Sequence, residues 1–225
     1  MKKKIIVLSL IAGAVMLSGC GTTMPTKAKA YTGMYKEKPL SILVMPPINR
    51  TTSVDAKEYF HATLLHPIAE AGYYVIPPFL SMEILKKESA YDADIFLDKP
   101  LKMLGEVFGA DIALFTVIHK WDKSVLTASV TVQIEYIFKS TTTDQVLYQR
   151  KGTVIYKTNS SGSSGLGALV NTAINTAIAD YMPLAIRCNA YTLSDLPKGN
   201  YHPMGGLDGE ESSGKNNFIY RYGGK

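Results

Sequence analysis

The sequence predicts an α+β domain, a two-layer mixed sheet of about five strands with helices packed on one face. Three observations predict it. Ile112 to Ile118 is the most apolar run beyond the first twenty residues, and a short continuous apolar run reads as a central strand. Leu126 to Phe138 alternates apolar and polar residues almost without a break, the mark of a half-buried strand in an antiparallel sheet. Helical periodicity interrupts the strand signals, so that the order reads β-α-β-α-(α)-β-β-β-α. That mixed order favours helices stacked on a sheet over a regular alternation of the two.

The chain opens with a targeting segment. Lys2, Lys3 and Lys4 give a positive start, Ile5 to Leu17 is apolar apart from Ser9 and small residues, and Leu17-Ser18-Gly19-Cys20 closes the segment. A signal peptide combines such a start with ~7–15 apolar residues and a small-residue cleavage site. A bilayer-spanning helix needs roughly 20 apolar residues, more than this run supplies. The Leu-Ser-Gly-Cys ending resembles the lipobox of bacterial lipoproteins. The resemblance implies that residues 1–19 are removed, that the Cys20 thiol carries a diacylglycerol, and that the new amino group is acylated with a palmitate-type chain. Each buried methylene contributes ~0.8 kcal/mol and stable anchoring takes more than one chain, a requirement that a triacylated cysteine meets. In some Gram-negative bacteria an aspartate after the cysteine retains the protein in the inner membrane. Gly21 therefore points to the outer membrane, with the domain in the periplasm.

Removal of the leader leaves 206 residues, enough for one domain with a real core. The formal charge of +5 falls to +2 without the three leader lysines, so the basicity implies no nucleic-acid partner. With Cys20 lipidated, Cys188 has no partner within the chain. It reads as a small buried hydrophobe, the other reading being a free or intermolecular thiol.

Residues 20–39 read as a lipidated flexible tether, poor in apolar residues and containing Thr, Lys, Gly and Pro. The globular domain spans residues 40–190. Ile42-Leu43-Val44-Met45, stopped by Pro46-Pro47, is a buried strand. Ala56, Phe60, Leu64, Ile68 and Ala71 lie on one helical face, kinked or shortened by Pro67 and ended by Gly72. Tyr73 to Ile76 is a second strand, and Phe79 to Glu88 a helix. Asp98 can cap a short helix with Pro100 in its first turn, burying Leu101, Leu104, Val107 and Phe108 before Gly109. Trp121-Asp122-Lys123 marks a turn between the central strand and the alternating one. Val146 to Lys157 returns as a strand with a bulge at Gly152. A Ser/Gly loop over Asn159 to Gly165 precedes a helix over Leu166 to Met182, whose outer face carries Asp180 as its one charge, few for a solvated face. Residues 191–225 lose apolar density and read as a largely irregular tail that keeps several aromatic residues.

No arrangement of catalytic or metal-ligating residues emerges. His61, His66, His119 and His202 are scattered, and a five-residue spacing does not put His61 and His66 on one helix face. Asp92, Asp94 and Asp98 lack the glycine of a calcium loop. Gly162 to Gly167 precedes a helix but lacks the lysine of a phosphate-binding loop. The expectation is a protein without a cofactor, a metal or an enzymatic activity.

Several short motifs, in order, resemble a family of Gram-negative lipoproteins of unknown function typified by a genome-derived Neisseria vaccine-candidate antigen. They are the lipobox, Ile42-Leu43-Val44-Met45-Pro46-Pro47 with Asn49-Arg50-Thr51, Gly72-Tyr73-Tyr74-Val75, Phe108-Gly109-Ala110-Asp111 with Trp121, and Leu196-Pro197-Lys198-Gly199. The resemblance implies a domain similar to the N-terminal domain of the Tol-system propeller protein and to the curli secretion channel lipoprotein. It also implies envelope partners, including a lipoprotein of the curli-channel type. Together these readings predict a homodimeric outer-membrane lipoprotein that acts by protein–protein contact in an envelope transport or secretion complex. The other reading is a lipoprotein regulator that reaches a periplasmic enzyme on its tether.

Overall fold

The computed structural model describes residues 24–54, 56–88, 90–124, 127, 129–157 and 181–223. Its strands are β1 (Ser41–Val44), β2 (Ile48–Asn49), β3 (Tyr74–Val75), β4 (Ile112–Ser124), β5 (Ser129–Ser140), β6 (Val146–Lys157) and β7 (Asn217–Gly223). Its helices are α1 (Lys27–Ala30), α2 (Thr32–Glu37), α3 (Ala56–Thr63), α4 (Leu65–Glu70), α5 (Pro78–Lys87), α6 (Lys102–Phe108) and α7 (Tyr181–Thr192). The Leu166–Met182 helix and the Ser/Gly loop before it fall outside the described residues, apart from the last two residues of that helix.

The class is α+β, with one mixed sheet of seven strands in the order β3-β1-β4-β5-β6-β7. Beyond the end of β1, after the Pro46-Pro47 interruption, β2 pairs with β4. The β1–β3, β1–β4, β2–β4 and β6–β7 pairs are parallel, and the β4-β5-β6 meander is antiparallel. Two antiparallel steps make β6 run with β4, so β1, β4 and β6 all start at one end of the sheet.

Helices cover both faces of the sheet around β1 and β4, not one face as expected. Ile42, Val44, Ile112 and Leu114 pack with Phe60 of α3, Leu64 between α3 and α4, Ile68 of α4 and Cys188 of α7. The alternate residues Leu43, Met45, Ala113 and Phe115 pack with Leu85, Phe96, Leu101 and Leu104 on the other side. Parallel strands buried on both faces read as continuous apolar runs, and β1 and the first half of β4 are such runs. β5 alternates as the sequence predicts: Val130, Val132, Ile134, Tyr136 and Phe138 are buried on the α7 side.

Several elements differ from expectation for local reasons. The Pro67 ring cannot sit against the carbonyl four residues earlier, and the helix breaks there into α3 and α4. Trp121-Asp122-Lys123 is no turn: the β4–β5 ladder continues to Ser124, and Trp121 packs edge-on against Phe60 at 5.5 Å. Asp98 does not cap α6; the Asp144 carboxylate accepts the Leu101 N–H at 2.7 Å instead. Val107 is 59% exposed. The tail contributes β7, and residues 27–37 of the expected tether are two helices.

Gly152 is not a bulge, since it stays in register with Ile134 and Phe218. A Cβ at Gly152 would stand 2.2 Å from Phe218 Cζ, so the missing side chain is what lets the β7 ring lie across β6. Gly152→Ala is expected to destabilise the β6–β7 pair by about 1–3 kcal/mol. Hydrogen exchange would show faster exchange over residues 217–223, and adding Phe218→Ala would remove most of that difference between Gly152 and Ala.

Candidate interaction surface

The described chain begins as a clamp. Thr26 bridges Ser212 in antiparallel fashion, Lys27 N donates to Glu211 O at 2.8 Å, and Ser213 N donates to Pro25 O at 2.8 Å. Lys27 Nζ then lies 3.1 Å from Asp208 Oδ2 and 2.8 Å from Glu211 Oε2. Asp208, with its side chain 1% exposed, also accepts the Tyr35 hydroxyl at 2.9 Å and the Lys198 N–H at 3.1 Å. Burial alone would lower the Lys27 pKa; the hydrogen bonds to Glu211 and Asp208 reverse this and raise it. The Tyr31 hydroxyl donates to Asp195, which also accepts Gly214 N–H at 2.7 Å, and the Tyr31 ring packs on Tyr148 at 4.8 Å. A sequence signal was present: Tyr31, Met34 and Tyr35 recur at helical spacing within the expected tether.

Glu37 ties α2 to the β5–β6 turn through the Thr143 hydroxyl, which donates at 2.9 Å. The clamp therefore lies at the end of the sheet where β1, β4 and β6 start. The opposite half of β5, β6 and β7 keeps one face polar. Thr131, Gln133, Glu135, Lys151 and Thr153 are half-buried there. At its centre His119 Nε2 is 2.6 Å from Glu135 Oε2, and the Gln149 amide donates to Glu135 Oε1 at 2.5 Å.

Burial alone would raise the Glu135 pKa, but the bonds from Gln149 and His119 and the Lys151 charge hold it below 4.5. A carboxylate with a depressed folded pKa stabilises the fold above its unfolded pKa, and that contribution is lost as pH falls through the folded value. Glu135→Gln is therefore expected to lower stability at neutral pH and to flatten the stability loss below about pH 4.5. Urea midpoints measured across that window check it.

The outer edge of this half is β7, and no strand pairs beyond it among the described residues. Tyr191 of α7 stacks on Tyr220 at 4.0 Å, and Tyr156 of β6 packs on Tyr222 at 4.9 Å. The buried Arg150 donates to the Tyr191 and Thr192 carbonyls at 3.1 and 3.0 Å and lies 4.5 Å over the Phe218 ring. It thereby joins the end of α7 to β7. A shallow depression of about 860 Å³ opens beside it, lined by Gln133, Lys151, Thr153, Lys215 and Ile219 among others.

Cys20 lies outside the described residues, as does Gly162 to Gly167. Cys188 is buried on the α7 side of the sheet, where burial pushes its thiol pKa far up, while His119 and Glu135 sit on the other face. The sheet separates them, so Cys188 and His119 form no catalytic pair. Asp92 caps a turn by accepting the Asp94 N–H, and Asp94 pairs with Arg50 at 2.5 Å. Among the described residues no three His, Cys, Asp or Glu side chains cluster as a metal site, and no helix is long and apolar enough to cross a membrane.

The family model described as "Putative lipoprotein GNA1162-like" matches residues 29–201. A protein of Neisseria meningitidis serogroup B, "Putative lipoprotein NMB1124/NMB1162", is 31% identical over 168 residues, 73% of this chain and 77% of the relative. The crystal structure of lipoprotein GNA1162 from Neisseria meningitidis is similar at a TM-score of 0.50 and 26% identity, over 63% of this chain and all of that one. A PelC dodecamer from Paraburkholderia phytofirmans is similar at a TM-score of 0.43 and 12% identity, over 70% of this chain and 88% of that one.

Proposed function

Because the chain belongs to the GNA1162-like lipoprotein family, we propose that it is an outer-membrane lipoprotein, anchored through Cys20 with its domain in the periplasm. It acts by protein–protein contact, as an assembly or scaffold component of a cell-envelope transport or secretion complex. The observation that carries this reading is the half-open sheet: a polar face over β5–β7 and a β7 edge that no strand pairs with among the described residues, at the end of the sheet away from the clamp. An edge strand offers a row of backbone donors and acceptors that another chain can pair with. A second copy of the chain is one such partner, which makes the working unit a homodimer.

The clamp bears on the alternative, a regulator that reaches a periplasmic enzyme. Five residues lie between Cys20 and Thr26, so the six steps from one to the other span at most about 22 Å. That reach is too short to carry the domain across the periplasm, so the scaffold reading is preferred.

A photo-crosslinking residue at Arg221, exposed on β7, tests the proposal in intact cells. Discrete adducts with envelope proteins, or at twice the chain mass, are the expected result. A label that reacts with no protein while the chain is folded and membrane-bound would overturn it.

A further inference from the structure

The loop between Lys198 and Asp208 has both ends fixed at one point. Lys198 N donates to Asp208 Oδ2, the same oxygen that meets Lys27 Nζ. Between these ends the backbone folds on itself: His202 N donates to Gly199 O, Gly205 N to His202 O, and Leu207 N to Met204 O. Gly72 and Gly199 make the loop's seat possible. Gly72 has φ +89°, its carbonyl accepts the Tyr201 N–H, and a Cβ there would stand 2.4 Å from the His202 nitrogen. The result is a compact, internally bonded projection.

What this projection presents is apolar. Tyr201 is 67% exposed, Met204 46% and Leu207 70%. Lys38 and Lys198 share with Leu207 the lining of a depression of about 370 Å³ beside α2. Apolar side chains flanked by lysines, on a loop held rigid from behind, fit the boundary between lipid headgroups and acyl chains. A patch of this kind on a small domain marks a contact surface.

The occupant follows from where Thr26 and Lys27 sit. Lys27 is bonded to the residue at the foot of this loop, and the loop sits by Gly72 and Tyr73, next to the start of β1 and β3. A lipid on Cys20 would lie within about 22 Å of Thr26. The same end of the sheet therefore carries both the anchor and the apolar loop. We infer that the Gly199–Leu207 loop rests on the bilayer that holds the anchor, with Met204 and Leu207 at the acyl boundary and Lys38 and Lys198 toward anionic headgroups. This contact fixes the domain's orientation and turns the open β5–β7 half away from the membrane. The inference rests on the Cys20 anchor proposed above.

The test uses the full lipidated protein in vesicles of phosphatidylethanolamine and phosphatidylglycerol. Cys20 is blocked by its lipid and Cys188 is buried, so Leu207→Cys supplies one reactive thiol for an environment-sensitive fluorophore. Val54→Cys is the reference; Val54 is 83% exposed and follows β2, at the opposite end of the sheet from the loop. Both positions are exposed enough for the variants to fold. Flotation first reports the anchor. The expected result is co-flotation of both variants, with the Leu207 label quenched several-fold more strongly by bromolipid than the Val54 label. Co-flotation with equal quenching of the two labels overturns the loop contact and leaves the anchor intact. Failure to float removes the anchor and the loop contact with it.

Discussion

Asp208→Ala is expected to lower the unfolding free energy by about 3 kcal/mol, because it leaves Lys27 buried beside one remaining, largely exposed carboxylate. The same change frees the Tyr35 hydroxyl and the Lys198 N–H. Three segments meet at this one carboxylate: α1–α2, the start of the apolar loop, and the strip that returns to β7. Chemical denaturation measures the loss, and limited proteolysis at Lys29 and Lys36 reports whether the clamp opens before the core. Lys27→Met in the same chain removes the stranded charge and should recover a large part of the stability. A full loss in the double variant would mean that the Tyr35 and Lys198 bonds, not the ion pair, hold the clamp.

Asn189→Leu is expected to cost about 3 kcal/mol for a different reason. Asn189 is fully buried and joins three elements. It accepts the Tyr136 hydroxyl of β5, and its amide donates to Phe60 O at 3.2 Å and to Thr63 Oγ1 at 2.7 Å, both in α3. Leucine matches the volume but leaves the Tyr136 hydroxyl buried without its acceptor. Burial holds that phenol pKa well above its ordinary value, so it stays a neutral donor. Tyr136→Phe added to Asn189→Leu should restore part of the loss, since an apolar pair is less costly than a stranded hydroxyl. Urea unfolding of the two single variants and the double variant closes the cycle.

The central sheet was legible because its signals are local. The alternation of β5 and the apolar run of β4 each declare burial within a dozen residues. The double covering of β1 was legible too, since Ile42-Leu43-Val44-Met45 leaves no polar face, and the expectation of helices on one face neglected it. β7 was readable in part: Phe218, Tyr220 and Tyr222 alternate, but surrounding Gly, Asn and Ser diluted the signal. The helical spacing of Tyr31, Met34 and Tyr35 was readable, but the ion pair that closes the clamp was not, because Lys27 and Asp208 are 181 residues apart. α7 was hidden for a related reason. Its inner face includes Asn189 and Thr192, polar residues buried through hydrogen bonds that no periodicity reports. His119 and Glu135 were visible singly, and only the sheet register brings them together.

A domain on a long leash could act at any depth; with the proposed lipid on Cys20, one clamped from Thr26 onward would act at the membrane surface. The open half of the sheet then becomes the face presented to the envelope. Intact-mass spectrometry of the protein extracted from bacterial membranes tests the claim on which this rests. The expected species is a chain that begins at Cys20 and carries the added mass of a diacylglycerol and one further acyl chain. A chain with an unmodified amino terminus, or one that retains residues 1–19, would contradict it.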